Sequence, residues 1–164
     1  MGHDWVLLVE GTTEVKAVQQ ILRKLGKDHT VVIFPLGGSA LIRGGVEQEL
    51  AELARVAKKV AVLIDSERQS DSSPLAHDRQ QFVTDCERLG FQVHCTERRA
   101  FENYLTEEAI KRVMGAKYRA LAPFELLKNP ECAWAKQDNW RIVREMTLED
   151  FVATDIGRFL GSLT

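Results

Sequence analysis

Apolar residues in this chain fall into short unbroken runs, separated by stretches in which they recur every three or four positions. Trp5-Val-Leu-Leu-Val9 and Val60-Ala-Val-Leu-Ile64 are the clearest runs, and their length and continuity predict strands buried on both faces. Thr30-Val-Val-Ile-Phe34, β-branched and followed by Pro35, predicts another strand, and Phe91-Gln-Val-His-Cys95 alternates as a fourth. Between the runs, Val15, Val18, Ile21, Leu22 and Leu25 recur at helical spacing before Gly26. Val46, Leu50, Leu53, Ala54 and Ala57 mark a second helix that closes on Lys58-Lys59, and Phe82, Val83, Cys86 and Leu89 mark a third, stopped by Gly90. Strands that alternate with helices in this way predict an α/β fold, a Rossmann-like and mainly parallel four-stranded sheet flanked by helices.

After residue 105 the pattern changes. Thr106-Glu-Glu predicts a helix start with acids at its positive end, and Pro123 and Pro130 interrupt the segment beyond that helix. A helical segment from about Asn139 and a short one near Asp155–Leu163 complete a helical C-terminal tail. With no repeat, low-complexity tract or linker in view, residues 1–164 read as one domain, an α/β core over 1–105 and a mostly helical extension over 106–164.

The polar residues that matter stand where the strands end. The first strand runs into Glu10-Gly-Thr-Thr-Glu14, where Gly11 turns the chain, Thr12 or Thr13 is expected to cap a helix, and Glu14 falls in its first turn. The third strand runs into Asp65-Ser66-Glu67 and then into a polar loop over 68–74; Glu102 follows the fourth strand. In a parallel sheet the carboxyl ends of the strands share one edge, and that edge is where α/β sheets bind ligands. Carboxylates gathered there suit hard divalent cations, which take oxygen ligands, and two such ions clamp an in-line phosphoryl displacement. The plain alternative for Glu10 is a buried carboxylate satisfied by Arg43 or a backbone amide, and for Glu14 a partner for the helix dipole.

Composition narrows the field without choosing a partner. At 45% hydrophobic and 28% charged the chain reads as a globular protein, and no apolar run approaches the ~20 residues a membrane span needs. Met1-Gly-His-Asp4 lacks the basic start of a signal peptide, so a cytoplasmic location with no membrane partner is expected. Cys86, Cys95 and Cys132 show neither CxxC nor zinc spacing and read as reduced thiols; His3, His29, His77 and His94 show no ligand spacing. The net charge of −2 does not advertise nucleic-acid binding, but a carboxylate site needs cations before it accepts phosphate. Residues 98–119 hold six basic side chains against three acidic ones, a local surface suited to phosphates. Gly37-Gly38 offers either a tight turn or bare backbone that can approach a phosphate. There is no GxxxxGK[ST] and no GxGxxG.

Taken in order, VEGTTE, the Gly37-Gly38 loop, LIDSE and RRAFENYL resemble a Toprim domain, the metal-binding fold of topoisomerases, primases and several nucleases. The phrase carrying Arg98, Arg99, Glu102, Asn103 and Tyr104, and TDIGRFL at Thr154–Leu160, are similar to the Toprim domains of OLD-family (overcoming lysogenization defect) nucleases. The resemblance implies a metal-dependent endonuclease that hydrolyses DNA phosphodiesters, with two Mg²⁺ or Mn²⁺ ions held by Glu10, Glu14, Asp65, Glu67 and Glu102. It implies Glu10 and Asp65 as catalytic residues, with a late lysine, for which Lys136 is the candidate, steadying the transition state. Gly37, Gly38, Arg98 and Arg99 are the candidates for nucleic-acid contact. Glu67 departs from the second aspartate of the family's common DxD, and the ATPase half of OLD proteins is absent from this sequence. The rival expectation is a non-catalytic Toprim module that binds or regulates a separate ATPase or another nucleic-acid enzyme, with Trp134, Trp140 and Phe151 as surface anchors; the plain reading makes these three residues core.

Overall fold

Two adjacent parallel strands, β1 (Trp5–Val9) and β3 (Val60–Ile64), form the centre of the sheet, with Val6 opposite Val60 and Val9 opposite Leu63. The computed structural model describes residues 4–38 and 46–164, so His3, Ser39, Arg43 and Gly44-Gly45 lie outside the described residues. Strand β2 (Val31–Pro35) pairs with the outer side of β1, and β4 (Gln92–Cys95) with the outer side of β3. The order β2-β1-β3-β4 is parallel throughout. The chain leaves β1 in one direction and returns on its other side, which makes the β1/β3 gap the topological switch point where such sheets open a crevice.

Side chains of a strand alternate between faces, and here the alternation sorts the core into two clusters. Leu7 and Val9 pack with Ala17, Val18, Ile21 and Leu22 of α1 (Thr12–Lys24), whereas Leu8, Val62 and Ile64 pack with Leu50 of α2 (Glu47–Val56) and Phe82 and Cys86 of α3 (His77–Arg88). The predicted helices therefore form, with two local corrections. The N-cap of α1 is Gly11, in extended conformation, and neither threonine caps it, because Thr12 is already helical. Helix α2 also stops at Val56, short of the two lysines.

The C-terminal third joins the first cluster. It holds α4 (Glu107–Met114), α5 (Asn139–Glu145), α6 (Leu148–Val152) and α7 (Asp155–Gly161). Ile110, Ile142, Val143, Phe151, Ile156 and Leu160 pack in the same cluster as β1 and α1. Helix α6 leaves no periodic signal in the sequence because it is barely one turn long; Thr147 and Asp150 cap it reciprocally. The tail's aromatics are core rather than anchors: Trp134 and Phe151 are buried in the first cluster, and Trp140, partly buried, packs against that cluster. Trp134 Nε1 donates to Asn139 Oδ1 at 2.8 Å, which satisfies its polar edge in the interior. No helix among the described residues is long and apolar enough to cross a membrane.

Candidate active site

Glu10 and Asp65 each stand one residue beyond the end of a central strand, so the register of β1 and β3 brings them together. The Asp65 amide donates to Glu10 Oε1 at 3.0 Å, and both residues are buried. A set of hydrogen bonds then stitches the segment after β3 to the one after β4. Ser66 N donates to Thr96 Oγ1 at 3.0 Å, Ser66 Oγ to Arg98 O at 2.8 Å, and Glu67 N to Arg99 O at 2.8 Å. The Phe101 amide donates to Asp65 Oδ1 at 2.9 Å, which sets the 3-10 turn Phe101–Tyr104, and Glu102 with it, beside the end of β3.

The sequence-predicted acids and the lysine thus share one neighbourhood. Glu10, Glu14, Asp65, Glu67, Arg79 and Lys136 line an open cleft of about 440 Å³ at the carboxyl edge of the sheet. Glu14 folds back over the turn: a methyl group on Gly11 would sit 2.9 Å from Glu14 Oε2. Lys136 Nζ lies 3.0 Å from Glu102 Oε1, although the two come from the 3-10 turn Lys136–Asp138 late in the chain and from the turn after β4. Glu67 adopts a left-handed backbone, φ 54°, uncommon for a residue with a side chain and typical of functional sites. Its carboxylate lies 3.6 Å from Arg99.

The electrostatics are those of crowded negative charge. Burial, followed by the charges of Glu10, Glu102, Glu14 and Glu67, pushes the Asp65 carboxyl well above its usual range. Burial also raises Glu10, against the lowering effect of a guanidinium. That guanidinium belongs to Arg79, which is not among the sequence-predicted site residues. Arg79 Nη1 bonds Glu10 Oε1 and also donates to the Asp65 carbonyl at 2.7 Å, with its side chain only 7% exposed. The plain alternative for Glu10 is therefore partly correct, with Arg79 and an amide in the role expected of Arg43 or an amide. The sequence does carry a signal for it: Arg79 precedes Phe82 and Cys86 by three and seven positions, which places a charge on the buried stripe of α3.

Two oxygens bear on whether divalent ions fit. Glu102 Oε2 is buried with no hydrogen-bond partner among the described residues, and Asp65 spends only Oδ1, on an amide. The donor set is all hard oxygen, as Mg²⁺ or Mn²⁺ prefers. As the side chains stand, no three His, Cys, Asp or Glu residues among those described are arranged to hold an ion; Arg79 balances Glu10 and Lys136 balances Glu102. The residue types and their common edge fit a cation, with Glu10 engaged elsewhere.

The candidate nucleic-acid contacts have a different character. Gly37 and Gly38 both take φ 96°, the positive-φ turn expected of them, and Gly38 N donates inward to the Glu10 carbonyl at 2.6 Å. Arg98 and Arg99 are tied within the chain instead of projecting. Arg98 donates to Asn103 O at 2.7 Å and lies over the Tyr104 ring, while Arg99 bonds Arg68 O and faces Glu67. Arg119 forms a two-pronged pair with Glu125, and the exposed Lys111 and Arg112 pair one turn back along α4. Cys86 and Cys95 are pushed up to about 12 by burial, which leaves them inert as nucleophiles.

ENYL and TDIGRFL, far apart in sequence, meet in the fold. The Tyr104 hydroxyl donates to Asp155 Oδ1 at 2.6 Å, and Asp155 Oδ2 lies 2.6 Å from His94 Nε2. Burial opposes the charge on Asp155, but these two bonds and the Glu97 amide outweigh it and hold the carboxyl down at about 2. Asn103 fixes the same turn, accepting from Ala100 N and donating to the Ala122 and Glu125 carbonyls. Compared with protein-family models, curated proteins and solved structures, the chain matches none.

Proposed function

We propose that this chain is a Toprim-like nuclease domain, a divalent-metal-dependent endonuclease that hydrolyses DNA phosphodiester bonds. The observation that carries the reading is the setting of Asp65, buried at the switch point of a parallel sheet and surrounded by the charges of Glu10, Glu102, Glu14 and Glu67. Burying Glu10, Asp65 and Glu102 close to one another is costly, and sites retain such a cost where chemistry needs it. Asp65, Glu102, Glu14 and Glu67 would hold the ions, with Glu10 joining once it is free of Arg79. Bound Mg²⁺ or Mn²⁺ would polarise the phosphodiester and neutralise charge on its oxygens.

The chain's own groups would do the rest. Lys136, exposed and lining the same cleft, would present its ammonium to the negative charge that grows as the P–O bond breaks. Desolvation opposes that ammonium, but Glu102 beside it raises its pKa, so Lys136 stays charged. The Asp65 amide and the Phe101 amide hold the two carboxylates in fixed orientation, which keeps the reorganisation cost low. DNA as substrate rests on the family resemblance alone.

One observation favours a second reading. Arg79 seated on Glu10 is what a non-catalytic module, partnering a separate ATPase or nucleic-acid enzyme, would retain as a plain structural ion pair. A plasmid-cleavage assay with Mg²⁺ or Mn²⁺ separates the two. The nuclease reading expects metal-dependent cutting that is lost in Asp65→Ala; no cutting by the wild type, or full-rate cutting by the variant, refutes it.

A further inference from the structure

We propose that Arg79 is a displaceable counter-ion: its guanidinium holds Glu10 in the ion-free state, and a divalent cation binding among the strand-end carboxylates must take Glu10 from it. The inference rests on the metal reading above and adds to it a competitor, built into the chain, that sets how readily the site loads.

Arg79 bridges the ends of the two central strands. Through Nη1 it touches Glu10 at the end of β1 and the Asp65 carbonyl at the end of β3, the two central strands of the sheet. Its charge offsets only part of the cluster. It bonds the main chain of Asp65 and leaves that carboxylate to the Phe101 amide, while Glu14 and Glu67 line the same cleft and Glu102 retains a buried oxygen with no partner among the described residues. A guanidinium is a planar, directional donor with a single charge, whereas a divalent ion brings two charges and binds several oxygens at once.

The position of Arg79 allows it to leave. It is the third residue of α3, just after the polar loop, and it lines the open cleft, so a released guanidinium moves toward solvent and not into the core. If the arginine-free carboxylate is a minor state, the apparent affinity for metal falls in proportion to that state's population. Removing the arginine lifts this penalty.

Calorimetric titration with Mn²⁺ of the full chain and of Arg79→Gln tests the proposal. The variant is expected to bind Mn²⁺ at least about tenfold tighter than wild type. It is also expected to melt lower than wild type without the ion, with the gap closing at saturating Mn²⁺. In wild-type protein, where folding is not at issue, the Arg79 Nε–H signal in a ¹⁵N spectrum is expected to shift on Mg²⁺ saturation. A wild type that binds Mn²⁺ while Arg79→Gln binds it no tighter, or an Arg79 signal unmoved by saturating Mg²⁺, overturns the counter-ion role and leaves the metal reading standing. Failure of both wild type and variant to take up Mn²⁺ removes the metal reading and this inference together.

Discussion

Lys136 places its ammonium 3.0 Å from Glu102 Oε1, so the first residue of the 3-10 turn before α5 reaches an acid carried by the turn that follows β4. Glu102 is 5% exposed at its side chain and Lys136 is 47%, so the pair straddles the wall of the cleft. Lys136→Met is expected to cost ~1 kcal/mol of stability, discounted for the lysine's exposure. Its effect on DNA cleavage should be larger, a drop of about 10²–10³ in kcat, as for other groups that meet transition-state charge. Thermal melts and single-turnover cleavage of the same preparation separate the two effects.

Asp65→Asn should stabilise the metal-free chain while abolishing cleavage. The amide keeps an acceptor for Phe101 N and removes a buried charge among like charges, a gain of ~1–2 kcal/mol near pH 8. The pH dependence comes from the raised carboxyl. Folded Asp65 keeps its proton at pH values where the unfolded side chain, with its ordinary value of 3.8, has lost it. Its contribution is therefore complete below that value and declines as pH rises through the higher folded one. Denaturant unfolding across pH 4–8 should show this decline in wild type and a flatter profile in the variant.

Tyr104→Phe removes the hydroxyl that joins the turn carrying Glu102 to α7. Two bonds are lost, one to the Asp155 carboxylate and one from Arg98 N, and a cost of ~2 kcal/mol is expected. Asp155 titrates with the opposite sign to Asp65. Held down at about 2, it contributes stability above 3.8 that is lost as pH falls through that interval. The acid limb of the stability profile should be shallower in Asp155→Asn.

Gly157→Ala should be among the most damaging single changes in the tail. An added methyl would lie 1.9 Å from the Phe151 carbonyl oxygen, backbone that cannot yield as a side chain can. Overpacking of this kind costs ~1–3 kcal/mol or more, which chemical denaturation measures directly.

The sheet and the strand-end acids are legible in the sequence because each arises from local chemistry. Continuous apolar runs at Trp5–Val9 and Val60–Ile64 need cover on both faces, and a carboxylate directly after such a run has only the sheet's edge to occupy. Arg79 is harder to find because a charge at a helix start is ordinarily solvated; its phase with Phe82 and Cys86 says otherwise. The basic excess over 98–119 is legible as a count, but its pairing is not. A count of charges ignores partners, and Glu67, Glu107, Glu108 and Glu125 are close enough to engage those cations. The joining of Tyr104 to Asp155 depends on how the tail returns to β4, which no local pattern encodes.

The most direct measurement is anomalous diffraction from crystals grown with Mn²⁺. The account predicts manganese density at the carboxyl edge of the sheet, ligated by Asp65 together with at least one of Glu10, Glu14, Glu67 and Glu102. Crystals saturated with Mn²⁺ in which Asp65 has no ion beside it, and Arg79 remains on Glu10, would contradict it.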